Sequence, residues 1–262
     1  MRSSARLALA RRRHLRQPTH PAALVFAAVA VVHLAAQLAG AGTVATVTQW
    51  LLMPLLAVAF RSATNGGRLV LLALGFSWLG DTVPALFSSD TRFLAMVGLF
   101  LCAQVTYIAA FLPAWRGSVL RRPALLGYLA AFGALLVACA PGAGGLLVPV
   151  ICYGVCLTLM AVLATGVHPL TAVGGAVFFV SDGLIALDAF ATWYAPPAPG
   201  FWVMLTYLAG QALIVAGVLR AADPSQLETS ARSGQFDADL PADPQCHRAG
   251  RLHGEAGCGD QL

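Results

Sequence analysis

The sequence is short of charge. Of its 262 residues 10% are charged and 58% hydrophobic, against roughly a quarter charged in soluble domains, which excludes an ordinary water-soluble fold. Lysine is missing: all sixteen basic residues are arginine. They flank apolar runs instead of lining one face, which excludes a nucleic-acid surface as partner. A disulfide framework is missing too. Cys102, Cys139, Cys152 and Cys156 lie within apolar runs, where free cysteine behaves as a small apolar residue. The stretch "CHRAGRLHGEAGC" holds Cys246, His247, His253 and Cys258, zinc-ligand types without a finger's spacing. Neither a metal nor another cofactor is expected.

What is present is length of apolar chain. Runs of about twenty residues, enough to cross a bilayer core, occur near 21–39, 43–60, 68–87, 93–113, 123–140, 146–165, 169–190 and 200–220. Turn formers separate them: Ala-Gly at 41–42, Asn-Gly-Gly at 65–67, Pro-Gly at 141–142 and Pro-Pro-Ala-Pro-Gly at 196–200. The pattern predicts an all-α polytopic membrane protein with eight transmembrane helices. A cytoplasmic N-terminus puts fifteen of the sixteen arginines on the cytoplasmic side, leaving only Arg92 outside. Both termini are therefore expected in the cytoplasm. A rival reading makes the first run a signal peptide, but the run exceeds a typical signal core. Residues 1–20 then form a basic cytoplasmic segment, 21–220 the membrane domain, and 221–262 a polar tail too poor in apolar residues to order itself. The all-arginine, alanine-rich composition points to a bacterial inner membrane.

Four acids fall between residues 21 and 220. Asp90 belongs to an outer loop, and Asp188 lies close enough to a span end to reach water. Asp81 and Asp182 do not. Asp81 follows Arg68 by thirteen residues and Asp182 follows His168 by fourteen, so each carboxyl sits about 20 Å along its helix, at nearly one depth. An ionised aspartate there costs several kcal/mol. Pro84 is expected to free the Gly80 carbonyl and kink the helix beside Asp81.

"GDTVPAL" at 80–86 and "SDGLIAL" at 181–187 share small-Asp-x-x-x-Ala-Leu, 101 residues apart. This reads as a parallel repeat of four plus four helices. Spans four and eight each add a Gln and a Tyr, Gln104 with Tyr107 and Tyr207 with Gln211, in reversed order. Two carboxyls in a shared pocket cannot both ionise, which supplies one acid and one base for attack of water on an ether-like carbon. A transporter or proton path would use the same residues, and a scaffold would use them as glue between helices. His33 reads as a structural group paired with Gln37 one turn on. Tyr107 and Tyr207 lie deep and need hydrogen-bond partners. Trp193 and Tyr194 at one span end, and Trp115 at another, read as interfacial anchors.

"GFSWLGDTVPAL", "GLFLCAQVTYIAAF", "GGAVFFVSDGLIAL" and "VMLTYLAGQALIVAGVL" together resemble the YhhN-like lysoplasmalogenase family, as does the earlier "TQWLLMPLLAVAF". The resemblance covers residues 30 to 220, and the two aspartate motifs are its most specific part. It implies an eight-helix integral membrane hydrolase that cleaves the vinyl ether bond of lysoplasmalogen-type lysophospholipids to a fatty aldehyde and a glycerophospho-headgroup. Asp81 and Asp182 would be the catalytic pair, with Gln104, Tyr107, Ser181, Tyr207 and Gln211 contacting substrate. Two positions depart from the family: Gln104 stands where a histidine is frequent, and Gln49 where a lysine is frequent.

Overall fold

The computed structural model describes residues 21–223; the basic N-terminal segment and almost all of the tail, with its Cys246, His247, His253 and Cys258, lie outside them. Among the described residues eight α-helices follow in chain order: α1 Pro21–Leu38, α2 Gly42–Ala63, α3 Arg68–Thr82, α4 Ser89–Phe111, α5 Leu125–Ala143, α6 Leu147–Ala164, α7 Pro169–Phe190 and α8 Pro199–Ala221. Short 3₁₀ turns at Val83–Leu86, Leu112–Gly117, Val119–Arg121 and Gly144–Leu146 link several of them.

The helices turn apolar side chains outward as well as inward. Val31 (67%), Val137 (76%) and Val148 (68%) are among the most exposed large side chains. Water would penalise such a surface and lipid would not. Helix is also the state that satisfies every backbone group without water. Seven segments are long and apolar enough to cross a membrane, and one of them, Leu125–Ala164, runs 40 residues. It contains both α5 and α6, which pack against each other. Val119 N, just before α5, donates to Thr165 Oγ1, just after α6, at 2.9 Å. The two helices therefore form an antiparallel hairpin, and the chain is an integral membrane protein.

Two expected breaks fall elsewhere. The turn between α5 and α6 is not at Pro141-Gly142, which stay helical, but at Gly144, whose φ is +47°. Gly142 serves a different purpose: a Cβ there would run into the carbonyl oxygen of Phe190, so it lets α7 approach closely. Pro84 does not kink a continuing helix. It lies in the first turn of the 3₁₀ segment after α3, so the helix ends one residue beyond Asp81.

The most extensive pairing is α7 with α8, followed by α3 with α4. A Cβ added at Gly174 would lie 2.8 Å from the Gly210 carbonyl oxygen, and one at Gly210 would lie 2.9 Å from Phe178 N. Backbones that approach this closely are the membrane substitute for hydrophobic packing. At the centre lie Phe60, Leu74, Met160, Phe178 and Ile214, all essentially inaccessible.

Candidate active site around two aspartates

Asp81 stands in the last turn of α3, where both its oxygens are occupied. Oδ1 accepts from Gln49 Nε2 of α2 at 3.4 Å, and Oδ2 accepts from Tyr207 Oη of α8 at 2.9 Å. One turn back, Ser77 Oγ accepts from Gln211 Nε2 at 3.0 Å, and Gln211 Oε1 accepts from Tyr107 Oη at 2.6 Å. The two rungs, Asp81–Tyr207 and Ser77–Gln211, tie α3 to α8, and Tyr107 extends the second rung to α4. Polar side chains paired in this way hold membrane helices together at about 1 kcal/mol each.

Asp182 is more deeply buried, at 7% exposure, but less fully bonded. Tyr153 Oη of α6 and Gln104 Nε2 of α4 both donate to Oδ2, at 2.5 and 3.3 Å. Among the described residues Oδ1 accepts no hydrogen bond. The side-chain oxygen of Gln104 is buried without a hydrogen-bond partner. Such groups are rare in folded interiors and point to chemistry at the place where they occur.

The two sets of partners correspond. Asp81 is held from the preceding helix and from α8; Asp182 is held from the preceding helix and from α4. Four helices on from α2 and α8, counted cyclically, are α6 and α4. The residue types are exchanged, with Gln on α2 and Tyr on α8 for the first acid, Tyr on α6 and Gln on α4 for the second.

A narrow cavity of about 60 Å³ opens between α4, α5, α6 and α7. Its walls are apolar, including Phe93, Phe132, Leu136, Val150, Leu157 and Phe190, and its only strongly polar side chains are Asp182 and Tyr153. Asp81 is not part of this lining. Of the two carboxyls expected to share a pocket, only that of Asp182 lines this cavity. Tyr207 stands beside Asp81 with its ring edge-on to Phe100 (5.8 Å) and Phe178 (5.7 Å). Among the described residues the two carboxyls share no hydrogen-bond partner.

The other side chains expected here separate by location. Gln104 touches Asp182, Tyr207 touches Asp81, and Tyr107 and Gln211 bond each other. Ser181 is buried and donates to the Val203 carbonyl at 3.1 Å, reaching neither acid. His33 is fully buried between α1 and α2, with Nδ1 2.9 Å from Thr48 Oγ1 and Nε2 accepting from Gln37 at 3.4 Å. Trp115 lies within 5.8 Å of both the Arg116 and Arg121 guanidinium groups, as an interfacial aromatic does. Tyr153 was not anticipated. A deep tyrosine needs a partner, so the signal that singled out Tyr107 and Tyr207 was present in "VICYGVC" as well. Among the described residues no three His, Cys, Asp or Glu side chains gather to hold a metal ion.

The model of the YhhN family matches residues 43–218 of the chain. No curated protein and no solved structure matches it.

Proposed function

The chain belongs to the YhhN family, and from that premise we propose that it is an eight-pass membrane hydrolase that cleaves the vinyl ether bond of lysoplasmalogen-type lysophospholipids. The observation that carries this reading is a single carboxyl, Asp182, with an unbonded oxygen at the wall of an otherwise apolar cavity. An alkenyl chain suits such walls, and its one reactive bond is brought to the one acid.

In this reading the Asp182 carboxyl gives its proton to the alkene carbon β to the ether oxygen, producing an oxocarbenium ion. The negative charge left on Asp182 faces that cation, and Asp81 adds a second, more distant anion. Water then attacks the cationic carbon and returns a proton to the Asp182 carboxylate. Gln104 Oε1, buried and unpartnered beside the same carboxyl, is an acceptor for one of the water's hydrogens. The resulting hemiacetal breaks into a fatty aldehyde and the free hydroxyl of a glycerophospho-headgroup. The hairpin of α5 and α6 supports eight crossings, and the arginine asymmetry supports cytoplasmic termini. The exchanged Gln and Tyr partners support the four-plus-four repeat.

Purified protein incubated with vinyl-ether and ester lysolipids side by side tests this. Fatty aldehyde from the vinyl ether with no fatty acid from the ester is the expected result. Ion or solute uptake into liposomes with neither lipid cleaved would overturn it in favour of a transporter.

A further inference from the structure

The function proposed above gives the proton transfer to Asp182, and Tyr153 is a side chain that distinguishes this acid from Asp81. We propose that Tyr153 is a positioning residue: its phenol, together with Gln104, holds Asp182 by Oδ2 and so turns Oδ1 to the cavity as the one oxygen that exchanges a proton with a bound lipid chain. This inference rests on the hydrolase reading for its kinetic consequence, and on geometry alone for the accessibility of the carboxyl.

The geometry is specific. Tyr153 lines the cavity and donates to Asp182, so it touches both the chamber and the acid. Gln104 approaches the same oxygen from α4, and two donors on one oxygen fix the plane of the carboxyl. Asp81 has the opposite arrangement. Its donors are divided between its two oxygens, it does not line the cavity, and neither oxygen is left free of protein donors. Gly154, next to Tyr153 in the cavity wall, has no room for a side chain, because a Cβ there would enter the Phe132 ring. The wall beside the acid is therefore closely packed around whatever the cavity holds.

The kinetic test compares Tyr153→Phe with the wild type on a vinyl-ether lysolipid. A donor to a charged partner contributes enough to stability for its loss to lower kcat about ten- to a hundredfold, with KM within about twofold because the phenyl ring still fills the wall. An unchanged kcat, or a loss confined to KM, overturns the positioning role.

The second test needs no turnover. A hydrophobic carbodiimide, dicyclohexylcarbodiimide, adds across its C=N bond to a carboxylic acid: the carboxyl oxygen bonds the central carbon and the acid proton moves to nitrogen. The O-acylisourea then rearranges to a stable N-acylurea that peptide mass spectrometry locates. The reagent is expected on Asp182 and not on Asp81, and Tyr153→Phe is expected to slow labelling of Asp182 several-fold because Oδ1 is no longer held toward the cavity. Labelling of Asp81 at a rate equal to or above that of Asp182, or a rate at Asp182 indifferent to Tyr153, overturns the inference. If the wild type releases no aldehyde, the hydrolase reading fails and the labelling pattern alone decides this one.

Discussion

Asp81 and Asp182 occupy like positions in like motifs, and the structure treats them differently. The first is clamped at both oxygens within a ladder that joins α3 to α8 and, through Tyr107, to α4. The second is held at one oxygen and stands at the edge of a chamber. An expensive side chain in an apolar helix can thus be retained for cohesion or for chemistry, and the motif around it does not say which. What decides is whether its partners satisfy it completely and whether space opens beside it.

The largest effect expected from this contrast is on Asp182. Asp182→Asn removes the proton donor and should lower aldehyde release about a thousandfold while the protein still elutes as a folded species in detergent. Asp81→Asn removes a charge and replaces one of the two accepting oxygens with a donor that faces Gln49 or Tyr207. A loss of about tenfold in kcat is expected there, with a lowered thermal midpoint; equal losses in the two variants would erase the distinction.

Next in size is packing. Gly210→Val would drive a side chain into the Phe178 backbone, at a cost of about 1–3 kcal/mol for overpacking. The check is thermal unfolding in detergent, where the α7–α8 seam should prove more sensitive than Gly183, whose added Cβ would meet only Leu135 at 3.5 Å. Tyr207→Phe removes one donor from Asp81 and should cost about 1 kcal/mol of stability with kcat within about threefold of wild type. A kcat loss matching that of Tyr153→Phe would place Asp81 in the chemistry on equal terms. The smallest effect is expected at His33, which is bonded into the α1–α2 pair: His33→Ala should leave aldehyde release unchanged while lowering the unfolding midpoint.

The helices were legible because a bilayer imposes a length, and the runs near 68–87 and 169–190 announce α3 and α7 directly. The two acids were legible for the same reason, since a carboxyl in such a run has a cost that composition alone reveals. Local competition between turn and packing roles was not. Gly142 looks like a turn former after Pro141, yet the close approach of Phe190 uses it instead, and the turn passes to Gly144. The partners of the acids were half legible. Tyr207 and Gln104 stand out as polar residues in apolar helices, but Gln49 reaches Asp81 across 32 residues of sequence, a distance no local pattern spans. Tyr153 carried the same signal of a deep phenol in need of a partner, but that the partner is Asp182 emerges only when α6 is folded against α7. The inequality of the two aspartates was hidden, because it depends on how donors from other helices divide over each carboxyl's oxygens and on which acid lines the cavity.

The most direct measurement is the ratio of aldehyde release by Asp81→Asn to that by Asp182→Asn, taken on equally folded preparations with one vinyl-ether lysolipid at saturation. The account predicts that the Asp81 variant is faster by about a hundredfold, the margin left when the proton donor remains and a supporting charge is lost. A ratio near one, or an Asp182 variant that works as well as the wild type, would contradict it.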